Sequence, residues 1–177
     1  EPETNIIDPE GLLDLSDQEI IETIVMFYHQ SLFDDDDVKK YLNKKCLNND
    51  DLITHFKLGV SKRLLGLLLP IKQIQSGKLI RKKLQELGLM RSTGHEHFSG
   101  SLTIPIHNHE NKLVDVYAVK LGNRLRKGTP LELKLNPDAL GIWNLQAIID
   151  NDEVIVCSSI IDAMSFWTHG YQNVMGL

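Results

Sequence analysis

The spacing of apolar residues changes character twice along the chain, giving a helical first part, a β-rich middle and a mixed end. Ser16-Asp-Gln-Glu19 forms a capping-box pattern, in which Glu19 returns a hydrogen bond to the Ser16 amide, so a helix is predicted over 16–33. Ile20, Ile21, Ile24, Val25, Phe27, Tyr28 and Leu32 recur at helical spacing, a face broad enough to dock on other elements. Short helices follow over 38–45 and 50–56, capped by Asp37 and by Asn48 or Asn49, with Gly59 behind. The run 64–69 suits a short buried strand. Residues 78–87 read as an amphipathic helix that buries Leu79, Ile80, Leu84 and Leu87 and stops at Gly88.

From Ser101 the period falls to two. Leu102, Ile104 and Ile106, then Leu113, Val114, Val116, Tyr117 and Val119, describe a hairpin with its turn over 107–111. Leu131, Leu133 and Leu135 alternate as a third strand, and 141–143 offer a fourth. The chain closes on an apolar β run at 154–157, a polar turn, an amphipathic helix and a second β segment ending at Gly176, a βαβ unit. Antiparallel strands after helices predict an α+β fold. Three stretches are expected: 1–37 as a helical leader with an Asp-rich linker, 38–143 as a mixed subdomain with the antiparallel sheet, and 144–177 as the start of a second subdomain.

A chain of 177 residues with 42% hydrophobic content can bury a real core. Its net charge of −5 argues against a uniformly basic surface and leaves room for a local basic face. Two distant cysteines, Cys46 and Cys157, supply neither a disulfide framework nor a metal-binding pair, which fits a reducing, cytoplasmic setting. No apolar run approaches the ~20 residues that span a bilayer, so no membrane association is expected. With neither an initiating Met nor a signal-like start, the sequence reads as a segment of something longer.

Most constellations suggestive of chemistry have a plainer explanation. The Asp34, Asp35, Asp36, Asp37 run lacks the spaced ligands and glycine turn of a calcium loop and reads as a solvated, helix-capping linker. The His95/His97 and His107/His109 pairs have a metal-like form, but an extended strand would hold His97 and His107 roughly 33 Å apart. Ser158 and Ser159 sit between strand and helix without the glycines of a nucleophile elbow and read as cap residues. Lys78, Arg81, Lys82 and Lys83, with Arg91 beyond, make a basic helix face and the best phosphate-contact candidate of the first half. Lys120, Arg124, Arg126, Lys127 and Lys134 cluster around one connection between strands. Trp143, Phe166 and Trp167 are base-stacking candidates; Phe166 is expected in the core, and Trp167 stays open between the two roles.

The phrases YLNKKCL (41–47), HFKLGV (55–60), HFSGSLTIPI (97–106), VDVYAVKL (114–121) and GIWN (141–144), followed by the βαβ end, resemble in order and spacing the landmarks of the catalytic core of DnaG-type bacterial primases. The resemblance covers 38–177 and is nearest to primase-like proteins of phages and mobile elements, with 144–177 matching the opening of a TOPRIM domain. It implies RNA primer synthesis on single-stranded DNA during replication, with nucleoside triphosphates as substrates, Mg²⁺ or Mn²⁺ as cofactor, and a helicase or other replication protein as a further partner. It also implies template and nucleotide contacts at Lys120, Arg124, Arg126, Lys127 and Lys134.

The departures matter equally. Asp162 matches the aspartate of the TOPRIM E-x-x-x-D pattern, but Ser158 stands at the glutamate, and no Asp-x-Asp follows within these residues. The family tends to carry arginine where this chain has Ser101, and a Gly-Arg pair where it has Ala118 and Val119. A serine hydroxyl is a poor general base and a poor Mg²⁺ ligand, so no metal site is assigned and catalysis is not expected from this segment alone. The second expectation is a non-catalytic module of degenerate primase shape that binds single-stranded DNA or a replication protein.

Overall fold

The computed structural model describes residues 11–122, 125–139 and 141–177. After a 3-10 turn at Gly11–Asp14, helix α1 (Asp17–Phe33) opens with the predicted reciprocal capping box between Ser16 and Glu19. Its inward face buries Ile20, Ile24, Val25, Tyr28 and Leu32. Helix α2 (Asp36–Lys44) is capped by Asp35, two residues earlier than the expected Asp37. The Asp35 carboxylate accepts from the Asp37 and Val38 amides at 2.8 and 2.9 Å, which uses part of the acidic run for capping. Helix α3 (Asp50–His55) is capped by Asn49, as its sequence predicts.

Gly59 is not the stop signal of a helix. It forms with Val60 the two-residue strand β1 (Gly59–Val60), too short to show an alternating pattern. The stretch expected as a buried strand is instead the short helix α4 (Leu65–Leu68): Leu65 and Leu69 are buried while Leu67 is 79% exposed, a one-sided spacing that a strand buried on both faces would not give. Helix α5 (Gln75–Glu86) begins three residues earlier than expected and buries Ile80 and Leu84, but Leu79 lies 45% exposed. It ends before Gly88, whose φ of 76° suits glycine at that stop.

The antiparallel sheet runs in sequence order: β1, β2 (Ser101–His107), β3 (Leu113–Lys120) and β4 (Glu132–Lys134). Leu102 pairs with Val119 and Ile104 with Tyr117, so these side chains share one face with Ile106. They join Leu42, Leu52 and Phe56 in one core. Val116 and Ala118 point to the opposite face, where Ile24, Tyr28, Leu84 and Phe98 form a second core. The sheet is thus covered by helices on both faces.

Residues 141–143 do not extend this sheet, contrary to expectation. Trp143 instead makes a single antiparallel bridge to Gly176, with its amide 2.9 Å from the Gly176 carbonyl. Helix α6 (Gln146–Asp150) leads into β5 (Ile155–Cys157), α7 (Ile160–Thr168) and β6 (Val174–Gly176), and β5 pairs with β6 in parallel, as a βαβ unit requires. An added Cβ at Gly176 would lie 2.9 Å from Ile160 Cα, so α7 seats on β6 only because this residue is glycine. Among the described residues no helix is long and apolar enough to cross a membrane.

The end unit docks through aromatic rings. Phe56 packs on Trp143 at 4.3 Å and edge-on to Trp167 at 5.4 Å, and His55 stacks on Trp167 at 5.9 Å. Trp143 is buried, which removes it as a base-stacking surface. Phe166 is 42% exposed and meets Tyr171, contrary to its expected place in the core, and the ring left open, Trp167, is the inward one. The helix leaves α3 under the side that carries Trp167.

Candidate functional site

A broad groove opens where the β1–α4 connection, the loop before β2, the end of β3 and the N-terminus of α7 meet. Three cations from three separate segments converge in it. Arg63 follows β1 and holds a left-handed φ of 68°. Arg91 follows α5, its amide donating to the His95 carbonyl at 2.8 Å and its guanidinium to the His97 carbonyl at 3.2 Å. Lys120 ends β3, and its ammonium donates to the Ser99 carbonyl. Partial burial, then the neighbouring Arg91 and Arg63 charges, push the Lys120 ammonium below its usual range. The same surroundings hold His97 down: burial acts first, followed by Arg91 and Lys120, against a bond to the Lys134 carbonyl that favours the charged ring.

Among the described residues no carboxylate pairs with Arg63, Arg91 or Lys120. Like charges brought together without counter-charge raise the energy of the empty groove and lower that of an anion-filled one. Lys62, next to Arg63, is instead tied to Asp35 at 3.7 Å, and the acidic run lines the same groove.

The residues singled out in the sequence fall in several places. Lys120 and Arg126 line the groove, as do Ser159 and Asp162 at its far end. Ser158 is exposed in the turn between β5 and α7, and Ser159 caps α7 by accepting the Asp162 amide at 3.3 Å. Lys127 and Lys134 are exposed and outside the groove lining, and Arg124 lies outside the described residues. The basic face of α5 is largely engaged elsewhere. Arg81 donates to the Gly66 and Pro70 carbonyls at 3.0 and 3.2 Å, Lys83 pairs with Asp17 at 2.5 Å, and Lys82 with Glu86 at 3.7 Å. Ser101, where the resemblance expects arginine, is buried with no partner for its hydroxyl among the described residues.

Arg63 was missed as a site residue, and Arg91 was attributed to the helix face. The adjacent Lys62-Arg63 pair, just after Ser61 and before a leucine-rich run, is the available signal, but nothing in sequence spacing brings Arg63, Arg91 and Lys120 together.

Comparison with solved structures identifies the frame that holds them. The fold is that of DnaG-type primase catalytic cores. The E. coli primase catalytic core superposes with a TM-score of 0.69 at 20% identity, covering 91% of this chain and 54% of that one. A DnaG primase catalytic domain bound to single-stranded DNA gives 0.66 at 20% identity, with 95% and 54% covered. The zinc-binding and RNA polymerase domains of the Aquifex aeolicus primase give 0.69 at 18% identity, with 93% and 43% covered. The chain therefore spans about half the length of the primase structures it matches. No protein-family model and no curated protein matches the sequence.

The primase-core frame raises the question of a divalent metal. Among the described residues no three His, Cys, Asp or Glu side chains converge as a metal site would require, and the Ser158 hydroxyl brings no charge to Asp162. The residues present do not fit a Mg²⁺ or Mn²⁺ site.

Proposed function

We propose that this chain is the template-binding part of a DNA primase-like replication protein of a phage or mobile element, acting in the cytoplasm. Residues 38–143 form its core subdomain and 144–177 the opening of a TOPRIM subdomain with a degenerate carboxylate position. The observation that carries the reading is the convergence of unpaired Arg63, Arg91 and Lys120 in a groove that leads to the Ser159/Asp162 end of α7. Phosphates of single-stranded DNA or of a nucleoside triphosphate supply the direct ion-pair partners that these three side chains lack. Arg126 extends the same groove, and Lys127 and Lys134 are exposed outside its lining.

Primer synthesis with Mg²⁺ or Mn²⁺ needs acidic groups beyond those described here, so the segment binds and orients rather than catalyses. Ser158 in place of the glutamate favours the reading in which the primase shape serves binding to single-stranded DNA or to a replication protein. Anisotropy of a labelled oligothymidylate over a salt series tests the groove. Three phosphate contacts predict log K falling with log salt at a slope of about −2, from ~0.7 per contact on single strands. No binding at low salt would sink the template reading and leave protein interaction.

A further inference from the structure

Glu96 is only 4% exposed, and its bonds reach the segments that carry the groove arginines. Its Oε1 accepts the Leu65 amide at 2.9 Å, and its Oε2 accepts the Ser61 hydroxyl and, at 3.2 Å, the Tyr28 hydroxyl. Ser61 and Leu65 bracket Arg63. The backbone of Glu96 bridges to Met90, the residue before Arg91. One buried carboxylate thus joins the Arg63 loop, the Arg91 loop and helix α1.

A long side chain on a left-handed backbone is not a resting conformation, and it persists only where neighbours over-determine it. The Ser61 end of the loop is pinned by the sheet side: Ser61 donates to the Ser101 carbonyl at 3.1 Å, and Gly100 donates to the Ser61 carbonyl at 2.8 Å. The Leu65 end is pinned by the Glu96 carboxylate, through a charge-assisted bond stronger than a neutral one. Between these pins the Arg63 guanidinium comes within 3.6 Å of the position a Cβ on Gly100 would take, beside the Ser99 carbonyl that receives Lys120.

We infer that Glu96 is a positioning residue that holds Arg63 over Lys120 and in register with Arg91, so that an incoming phosphate meets preset cations. The inference rests on the template reading above. Glu96 touches no substrate and acts through Arg63.

The test is a double-variant cycle on the whole chain with labelled oligothymidylate: Glu96→Gln, Arg63→Ala and both together. Glu96→Gln keeps the side-chain size but removes the charge into which the two hydroxyls donate. It is expected to weaken binding about fivefold and to reduce the salt slope by ~0.7, with little further effect once Arg63 is alanine. The same loss in both backgrounds overturns the inference. Ser61→Ala, which leaves the buried carboxylate in place, gives a smaller change of the same kind and serves where Glu96→Gln is too unstable to assay. Amide exchange supplies an independent readout: faster exchange confined to 61–65 supports the clamp, and faster exchange spread through β2 and β3 shows a merely structural role and overturns it. If the unaltered chain binds no oligothymidylate the template reading falls, and the exchange pattern then decides whether Glu96 holds this loop.

Discussion

Gly59 runs so close beneath Tyr28 that a Cβ placed on it would lie 2.6 Å from the Tyr28 carbonyl carbon and 2.7 Å from the His29 amide nitrogen. Those atoms belong to the backbone of a helix in the core and cannot swing aside. Gly59→Ala is therefore expected to destabilise the protein by ~3 kcal/mol or more, read as a lowered urea midpoint. Gly66→Ala is the control. Its nearest neighbour beyond the helix is the Arg81 guanidinium at 4.0 Å, so it is expected to be neutral or to gain up to ~1 kcal/mol.

Lys120→Met removes one of three crowded cations while keeping the aliphatic stem. Binding of single-stranded DNA is expected to weaken about tenfold at low salt, and the salt slope to fall by ~0.7. Thermal stability is expected to hold or rise, because Arg63 and Arg91 lose a like charge. Lys134→Met, outside the groove lining, is expected to leave the slope unchanged.

His97 and His107 both titrate below the ordinary histidine range, chiefly through burial, with Arg91 and Lys120 adding to the effect at His97 and Lys57 at His107. The His97 Nε2 lies 3.1 Å from the Lys134 carbonyl, so it carries the proton of the neutral ring. A depressed folded-state value means the unfolded chain binds more protons as pH drops below about 6.5. The stability these rings contribute is complete above that pH, is lost as pH falls toward their folded values, and changes no further below them. Urea midpoints from pH 7.5 downward should show this decline, and His97→Gln with His107→Gln should flatten it.

Phe56→Ala empties the space between Trp143 and Trp167. A loss of ~3–5 kcal/mol is expected, together with a red shift of tryptophan emission, since the chain's two tryptophans flank the cavity. An unshifted spectrum would show that the rings close over the gap.

Elements with strong local signals could be read from the sequence. The Ser16 capping box, the Asn49 cap, the β2–β3 hairpin and the terminal βαβ unit appear where periodicity and capping chemistry put them. The misreadings have physical causes. A short run of leucines interrupted only by Gly66 shows no period, so the sequence of α4 suits a strand as well as a helix, and the two-residue β1 is defined only by its pairing with Leu102 and Thr103. Adjacent Phe166 and Trp167 point to different sides of one helix, and the choice between them depends on α3, far away in sequence. Of the groove, Lys120, Arg126, Asp162 and, as an appendage of the α5 face, Arg91 are legible in the sequence, and Arg63 is not. Arg63 and Arg91 join it through Glu96, whose role depends on burial and on contacts 31 and 35 positions away.

The aromatic seam of Phe56, Trp143 and Trp167 has a geometric consequence for ligands. It welds the unit carrying Asp162 to the body carrying Lys120, so the span between the two ends of the groove is a fixed gauge rather than an adjustable one. A molecule with two anchoring groups at the matching spacing gains the full benefit of effective concentration, and one slightly too short gains almost none. On the template reading, selection by length is then expected of the groove.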